Sequence, residues 1–249
     1  MMKKPLVSVI IPAYCCAKTL AEAVDSALNQ DVELEVLVLD DCSPQSLDGV
    51  MERYAQDPRV RYLKNEKNMG ASGTRNRGVS LAEGEYVAFL DSDDRWAPGK
   101  LVRQLKLLEE TGYVLCCTAR EMLTPEGEST GRIISAPERI TYKDQLKQNW
   151  IACSSVVLRT DVAREFPMEH EDSHEDYIMW LRILKKYGNA CGINEPLLQY
   201  RMSTSGKSGS KLHSAKMTWR VYRYMEFGFL QSLACFISYT YHGVKKHWL

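Results

Sequence analysis

Short apolar runs alternate with amphipathic stretches through the first half of the chain. Five β-branched runs predict buried strands, at Val7–Ile11, Leu34–Leu39, Val60–Leu63, Tyr86–Leu90 and Val114–Cys117. Apolar residues at helical spacing predict helices over 20–28, 46–56, 72–81 and 99–110, the first entered through a capping box of Thr19 and Glu22. Because alternating strands and helices form βαβ units, the pattern predicts an α/β fold with a mostly parallel central sheet flanked by helices.

The pattern changes after Thr118. Residues 124–128 form a turn cluster, 154–158 predict another strand, and 175–187 predict a helix with an inward apolar face. The Ser/Gly-rich stretch 203–210 has the composition of a flexible hinge. These changes divide the chain into the segments 1–118, 119–204 and 205–249.

Composition narrows the class of protein. With 249 residues, 45% of them hydrophobic, the chain can bury a core, which excludes a disordered protein. Lys plus Arg and Asp plus Glu each number 32, so no global field attracts nucleic acid and no such partner is expected. The eight cysteines include no Cys-x-x-Cys pair, and a chain of this length needs no disulfide framework, which indicates a reducing cytosol.

Two acidic clusters follow predicted strands. Asp40 and Asp41 come after the second strand, and Asp91, Asp93 and Asp94 come after the fourth. The carboxyl ends of parallel strands share one edge of the sheet, so these side chains are expected to lie together. Carboxylates so placed favour Mg²⁺ or Mn²⁺, which binds one or two of them and the phosphates of a substrate. The pattern therefore indicates a nucleotide diphosphate site, with helix capping as the alternative use of each cluster.

Five ordered segments carry a family resemblance. They are VSVIIPAY at 7–14, LVLDDCS at 37–43, NMGASGTRNRG at 68–78, GEYVAFLDSDD at 84–94 and HED at 174–176. On these segments the chain resembles glycosyltransferase family 2, over nearly everything before residue 205. The resemblance implies a GT-A fold, with 1–118 as the nucleotide-sugar-binding half and 119–204 as the acceptor-binding half of the same domain.

The resemblance also implies residue roles in the donor half. Pro12, Ala13 and Tyr14 would line the nucleoside pocket of a UDP-sugar, and Asp40 would accept the imide hydrogen of uracil. The remaining nucleotide contacts would come from a tight glycine turn, two arginines and an acid that faces the ribose or the donor sugar: Gly70, Arg75, Arg201 and Asp91. Asp93 would hold Mn²⁺ or Mg²⁺.

The second half is expected to supply the catalytic base. By resemblance, Asp176 would take the proton from the attacking hydroxyl of the acceptor. One base and one metal imply single displacement with inversion, in which a hexose moves from UDP to a glycan. A helix acid favoured by the helix dipole is the alternative for Asp176 alone. The sequence identifies neither the donor hexose nor the acceptor sugar and linkage.

Two other functions remain open. His170, Glu171 and His174 spell the His-Glu-x-x-His of zinc hydrolases, in which two histidines one helical turn apart hold zinc. Pro167 and the acidic flanks of this segment argue against that function. The other alternative is a catalytically silent protein that binds a nucleotide or a glycan on the same fold.

The tail has a different character. From residue 211 to the end, the chain contains six basic residues and one acidic residue, Glu226, and no Asp, Glu, Lys or Arg occurs in 227–244. One helical stripe collects the apolar residues Leu230, Leu233, Ala234, Ile237, Tyr241 and Val244. We expect a basic amphipathic helix that lies on an anionic bilayer, and packing on the protein's own core is the alternative. This predicts a cytoplasmic enzyme, peripheral on the inner membrane, with a lipid-linked or surface glycan as acceptor.

Overall fold

Strands and helices alternate through the residues that the computed structural model describes, 5–202 and 211–248. The strands are β1 (Val7–Ala13), β2 (Leu34–Asp40), β3 (Val60–Lys64), β4 (Tyr86–Phe89), β5 (Arg95–Trp96), β6 (Leu115–Leu123), β7 (Ser129–Ile134), β8 (Arg139–Ile140), β9 (Val157–Arg159) and β10 (Ala190–Arg201). The helices are α1 (Leu20–Leu28), α2 (Asp48–Met51), α3 (Gly70–Leu81), α4 (Lys100–Thr111), α5 (Tyr142–Lys147), α6 (Thr160–Glu165), α7 (Glu175–Tyr187), α8 (Lys211–Tyr224) and α9 (Phe229–Trp248). The predicted hinge at 203–210 lies outside the described residues.

The ten strands form one sheet in the order β3-β2-β1-β4-β9-β6-β10-β5, with β7 beside β6 and β8 beside β10. Strands β3, β2, β1 and β4 are parallel, whereas β9 runs antiparallel to both β4 and β6. The predicted α/β class is confirmed. The carboxyl ends of β1, β2 and β4 share one edge of the sheet, and both acidic clusters lie there.

Helices cover both faces of the sheet because successive side chains of a strand point to opposite faces. In β1, Val9 and Ile11 belong to the core beneath α1 and α4, whereas Ile10 belongs to the core beneath α3, α6 and α7. Helix α3 approaches β1 closely at Gly78, where an added Cβ would lie 2.5 Å from Cγ2 of Ile10. This contact fixes α3 above the ends of β1 and β4.

The capping box predicted at the start of α1 is absent. Thr19 makes no side-chain cap bond, because Glu22 instead pairs with Arg95 and Arg201 at 3.1 and 2.8 Å. A capping box forms at the start of α5, where Thr141 and Asp144 exchange side-chain to backbone hydrogen bonds.

Helix α8 belongs to the folded core. Val221 and Tyr222 of α8 are fully buried and pack in one cluster with Tyr177, Ile178 and Leu181 of α7. The segment after residue 205 is therefore not one detachable tail, since removal of α8 would uncover this cluster.

Helix α9 has two apolar faces. Phe236 and Tyr239 pack against the cluster formed by α7 and α8, whereas Leu230, Ile237 and Tyr241 of the predicted stripe are 79%, 60% and 65% exposed. Helix α9 therefore packs on the protein's own core through one face, as the alternative expected, while these residues of the predicted stripe stay exposed. Among the described residues, no helix is both long enough and apolar enough to cross a bilayer.

A buried arginine joins the two halves of the fold. Arg75 of α3 lies 2.5 Å from Oδ1 of Asp91, which follows β4, and 3.6 Å from Oε1 of Glu175, the first residue of α7. Burial alone would lower the pKa of this guanidinium, but the carboxylates, Asp91 first, raise it well above its ordinary value. The ion pair therefore fixes the distance between the carboxyl edge of the parallel strands and the start of α7.

Replacing this arginine is expected to destabilise the whole fold. Arg75→Gln leaves two carboxylates facing each other without a cation, and breaking a buried ion pair costs about 3 to 5 kcal/mol. Urea denaturation measures the loss. Arg77→Gln, on the same helix but with a partly exposed side chain, is the control and should cost about 1 kcal/mol. Equal unfolding midpoints for both variants would contradict the role of Arg75.

Candidate active site

A cavity of about 370 Å³ opens at the carboxyl edge of the parallel strands. This volume lies in the range of small-ligand sites. Its walls come from the ends of β1, β2 and β4 and the start of α3, and they contain Pro12, Ala13, Tyr14, Asp41, Asn68, Gly70, Ala71, Thr74, Arg75, Asp91, Ser92 and Asp93. The structure thus brings seven of the predicted site residues together: Pro12, Ala13, Tyr14, Gly70, Arg75, Asp91 and Asp93.

Asp41, rather than Asp40, lies in the cavity wall. Asp40 is buried, and its two carboxylate oxygens accept hydrogen bonds from the Ser43 backbone N–H and the Tyr62 hydroxyl, both at 2.8 Å. Oδ1 of Asp41 accepts bonds from Asn65 Nδ2 and Met69 N at 2.7 Å each. These two bonds orient the Asp41 carboxylate, and both of them end on Oδ1 rather than on Oδ2.

Glycine is required at the entry of α3. Gly70 has a φ of +72°, and an added Cβ would lie 2.0 Å from Oε1 of Glu171. That same carboxylate oxygen accepts a bond from the backbone N–H of Ser72 at 3.1 Å. An acid from the second half thus caps the first turn of α3, where the helix dipole favours negative charge.

The acidic loop after β4 contains three carboxylates with different surroundings. Asp91 pairs with Arg75, and Asp94 is buried and accepts a bond from the backbone N–H of Arg201 at 2.9 Å. Asp94 thus links the loop to β10 and does not cap α4, whose N-cap is Gly99. Burial raises the pKa of Asp94 well above its ordinary value. Asp93 lines the cavity, and burial, followed by the charge of Asp91, raises its pKa.

The donor set suits a hard divalent cation only when a substrate completes it. Within 5–202 and 211–248, no three His, Cys, Asp or Glu side chains are grouped to hold a metal ion by themselves. Mg²⁺ and Mn²⁺ sites in nucleotide enzymes use one or two carboxylates plus phosphate oxygens. Asp93 and Asp91 both line the cavity, and the charge of Asp91 adds to burial in raising the Asp93 pKa, so the two carboxylates fit such an ion.

Arg201 does not reach the cavity. Its guanidinium donates to the carbonyl oxygens of Asp93 and Pro125 at 2.9 and 3.2 Å and to Glu22 Oε2 at 2.8 Å. The prediction that this arginine contacts the diphosphate therefore needs a correction. Arg201 supports the Asp93 loop from behind, since each of its three guanidinium nitrogens already donates to Asp93, Pro125 or Glu22.

Asp176 lies in the first turn of α7, next to the Glu175 that pairs with Arg75. Its Oδ1 accepts a bond from the backbone N–H of Tyr177 at 2.7 Å. Burial raises the pKa of the Asp176 carboxyl, while His174 and Arg75 lower it in part. The net direction is upward, which suits a group that must take up a proton near neutral pH.

The structure does not support the zinc-hydrolase alternative. His170 and His174 lie in a turn before α7, not one helical turn apart on a helix. The His170 ring stacks on Tyr224 of α8 with centroids 3.7 Å apart, and Nε2 of His174 lies 3.5 Å from the Ser214 hydroxyl. The histidines therefore anchor α8 to this turn.

Several wall residues were not predicted from the sequence. Asn68, whose side-chain amide donates to the Asp41 carbonyl at 3.1 Å, and Thr74 have no distinctive chemistry when read alone. Asp41 had a usable signal, because it is the first residue after β2, at the edge where α/β sheets bind ligands.

Known proteins are similar to this chain in sequence and in fold. The chain is 36% identical over 246 residues to the putative teichuronic acid biosynthesis glycosyltransferase TuaG of Bacillus subtilis (strain 168), which covers 98% of each chain. It is 33% identical over 247 residues to the UDP-Glc:α-D-GlcNAc-diphosphoundecaprenol β-1,3-glucosyltransferase WfgD of Escherichia coli, over 97% of this chain and 95% of that protein.

A solved structure shares the fold. S. aureus TarS 1–349 in complex with UDP-GlcNAc superposes with a TM-score of 0.73 at 19% identity, over 94% of this chain and 71% of that one. A profile of "Glycosyl transferase family 2" matches residues 8–159, which is more than half of the chain. The chain therefore belongs to glycosyltransferase family 2.

Proposed function

We propose that this glycosyltransferase moves a hexose from a UDP-sugar to a hydroxyl of a lipid-linked glycan by metal-assisted single displacement with inversion. The observation that carries the proposal is the position of the cavity. One wall contains Asp41, another contains Asp91 and Asp93, and Arg75 joins the second wall to the start of α7 beside Asp176.

In the donor site, Asp41 rather than Asp40 accepts the imide hydrogen of uracil. Asn65 and Met69 both donate to Oδ1, so this oxygen is engaged and Oδ2 is the acceptor for the uracil imide. Tyr14, whose side chain is 51% exposed at the rim, packs against the base, and Pro12 and Ala13 form the floor.

Asp93, with Asp91 beside it, holds Mn²⁺ or Mg²⁺ together with the diphosphate. Bound there, the cation would stabilise negative charge on the departing UDP, so no protein acid is needed at the leaving oxygen. Arg201 keeps Asp93 in place through its backbone carbonyl.

Asp176 accepts the proton of the attacking hydroxyl. Because Arg75 contacts Asp91 and Glu175 together, the base and the donor loop keep one spacing in the absence of substrate. A single base opposite the leaving group gives one displacement and an inverted product.

The acceptor is proposed to be a sugar on a diphospholipid. WfgD, similar over nearly the whole chain, is named for a GlcNAc-diphosphoundecaprenol acceptor, and TuaG for teichuronic acid biosynthesis. The exposed stripe of α9 supports a membrane-bound acceptor, because monomeric soluble proteins rarely expose a contiguous apolar face of this kind. We infer that α9 lies on the anionic cytoplasmic surface of the inner membrane.

The first prediction concerns uracil recognition. In Asp41→Asn the amide oxygen stays with Asn65 and Met69, so the NH₂ group faces the donating imide of uracil. UDP affinity should fall about tenfold or more, while CDP affinity changes less, because cytosine presents an acceptor at that position. Calorimetry with both nucleotides measures the ratio. Asp40→Asn is the control and should keep the UDP preference; the reverse result would return the role to Asp40.

The second prediction concerns the metal and tests the proposed function directly. Wild-type protein, given a panel of UDP-sugars and a GlcNAc-diphospholipid, should release UDP with Mn²⁺ and not in EDTA. Asp93→Asn should abolish the increase in UDP affinity that Mn²⁺ produces, as measured by calorimetry. Ser92→Ala, in the same loop and wall, should retain it. Full transfer in EDTA would exclude the metal role.

The third prediction concerns the base. Asp176→Asn should bind UDP normally but lose about a hundredfold to ten-thousandfold in transfer, since an amide cannot take the proton. Because burial raises the Asp176 pKa and the base acts when deprotonated, wild-type kcat should fall as pH drops, at a pH above the ordinary carboxyl range. Glu169→Gln, which changes an exposed acid paired with Arg182, should preserve this pH profile.

The stereochemistry of the product tests the displacement. The NMR spectrum of the product should show anomeric inversion; retention would exclude single displacement.

The fourth prediction concerns membrane binding. Leu233→Lys combined with Ile237→Lys places two charges on the exposed stripe and should abolish sedimentation with phosphatidylglycerol vesicles. Gln231→Lys combined with Thr240→Lys adds the same charge beside the stripe and should preserve sedimentation. Equal loss in both variants, or no wild-type binding, would remove the membrane surface from the proposal.

A further inference from the structure

Two exposed cysteines follow the neighbouring strands β1 and β2. The parallel register ends with Ala13 beside Asp40, and Cys15 and Cys42 each follow two residues later. The Cα atoms of a disulfide lie about 4.4 to 6.8 Å apart. The two cysteines therefore come within this range only if the loops that carry them stay adjacent beyond the strands.

The two loops remain side by side beyond the strands. The backbone N–H of Asp41 donates to the Ala13 carbonyl at 2.8 Å, and the backbone N–H of Cys15 donates to the Ser43 hydroxyl at 3.2 Å. Cys15 and Cys42 also share a left-handed backbone, with φ of 51° and 59°. These contacts hold both cysteines at the same rim of the cavity.

Both thiols are open to solvent. Of the eight cysteines, Cys15 and Cys42 are exposed, Cys235 of α9 is half-buried, and the others are buried. Exposure favours thiol exchange at this pair, whereas a thiol buried in an apolar core is inert.

We propose that Cys15 and Cys42 form a reversible disulfide that weakens nucleotide binding under oxidising conditions. A thiolate of the pair attacks a low-molecular-weight disulfide such as oxidised glutathione and releases one thiol, and the second thiolate then attacks the mixed disulfide and releases the other. The protein loses two electrons and two protons, and one glutathione disulfide becomes two thiols.

The effect on binding follows from the neighbours of the two cysteines. Tyr14 and Asp41 line the cavity, and each directly precedes one cysteine. The pKa of the Tyr14 hydroxyl is raised first by the charge of Cys15, then by burial, and also by Asp41 and Cys42. A bond between the cysteines restricts Tyr14 and narrows the rim at the position proposed for the base, so this consequence rests on the proposed function.

Peptide mapping of full-length protein tests the bond itself. After equilibration with oxidised and reduced glutathione, a linked peptide pair containing Cys15 and Cys42 should appear, with a mass 2 Da below the sum of the reduced peptides. Calorimetry with UDP and Mn²⁺ should then show about fivefold weaker binding or more in the oxidised protein. By linkage, saturating UDP should raise the quotient [GSSG]/[GSH]² needed for half-oxidation by the same factor, because each oxidation converts one glutathione disulfide to two thiols.

Three variants separate the possible results. Cys15→Ser and Cys42→Ser should each bind UDP equally with and without oxidant, whereas Cys235→Ser should respond as the wild type does. Absence of the linked peptide, or a linked protein with unchanged UDP affinity, would overturn the inference. If the reduced wild type binds no UDP, the proposed function fails, while the peptide map still decides whether the disulfide forms.

Discussion

The arrangement of the active site depends on one buried cation, the guanidinium of Arg75. The loop after β4 and the start of α7 both bring carboxylates to the same region, and these charges would repel each other without a partner. Arg75 contacts Asp91 and Glu175 together, and its pKa is raised well above the ordinary value by them. The acidic loop after β4 and the start of α7 are thereby held at one separation.

A second connection joins the tail to the nucleotide side through one turn. Asp172 accepts a hydrogen bond from the Tyr224 hydroxyl at 2.9 Å and pairs with Arg220 at 3.0 Å. These two contacts bind α8 to the turn before α7. The neighbouring Glu171 caps α3 at Ser72. A displacement of α8 would therefore reach both the helix that carries Arg75 and the helix that carries Asp176.

Much of the fold could be predicted from the sequence because the apolar alternation encodes it. The strands β1 to β4 and helix α7 occur where the pattern places them, and the acidic clusters meet at one edge as parallel topology requires. The pattern could not show which of Asp40 and Asp41 lies in the cavity wall, because that depends on the Tyr62 hydroxyl of the neighbouring strand, which binds Asp40.

Long-range pairing limited the other predictions. Arg201 forms an ion pair with Glu22, which is remote in sequence. Glu22 makes this pair instead of the capping box expected with Thr19. The apolar stripe of α9 was visible in the sequence, but which face of the helix packs depends on α7 and α8.

The contact at Gly78 leaves no room for a larger residue between α3 and β1. Gly78 lies on α3 one turn after Arg75, and even a methyl group there would come within 2.5 Å of Ile10. Ile10 is fully buried in β1, so any side chain at 78 would push the helix away from the sheet. The guanidinium would move with it, away from Asp91. The reach of one charged group is thus set by the hydrogen atom that stands in place of a side chain one turn further along the same helix.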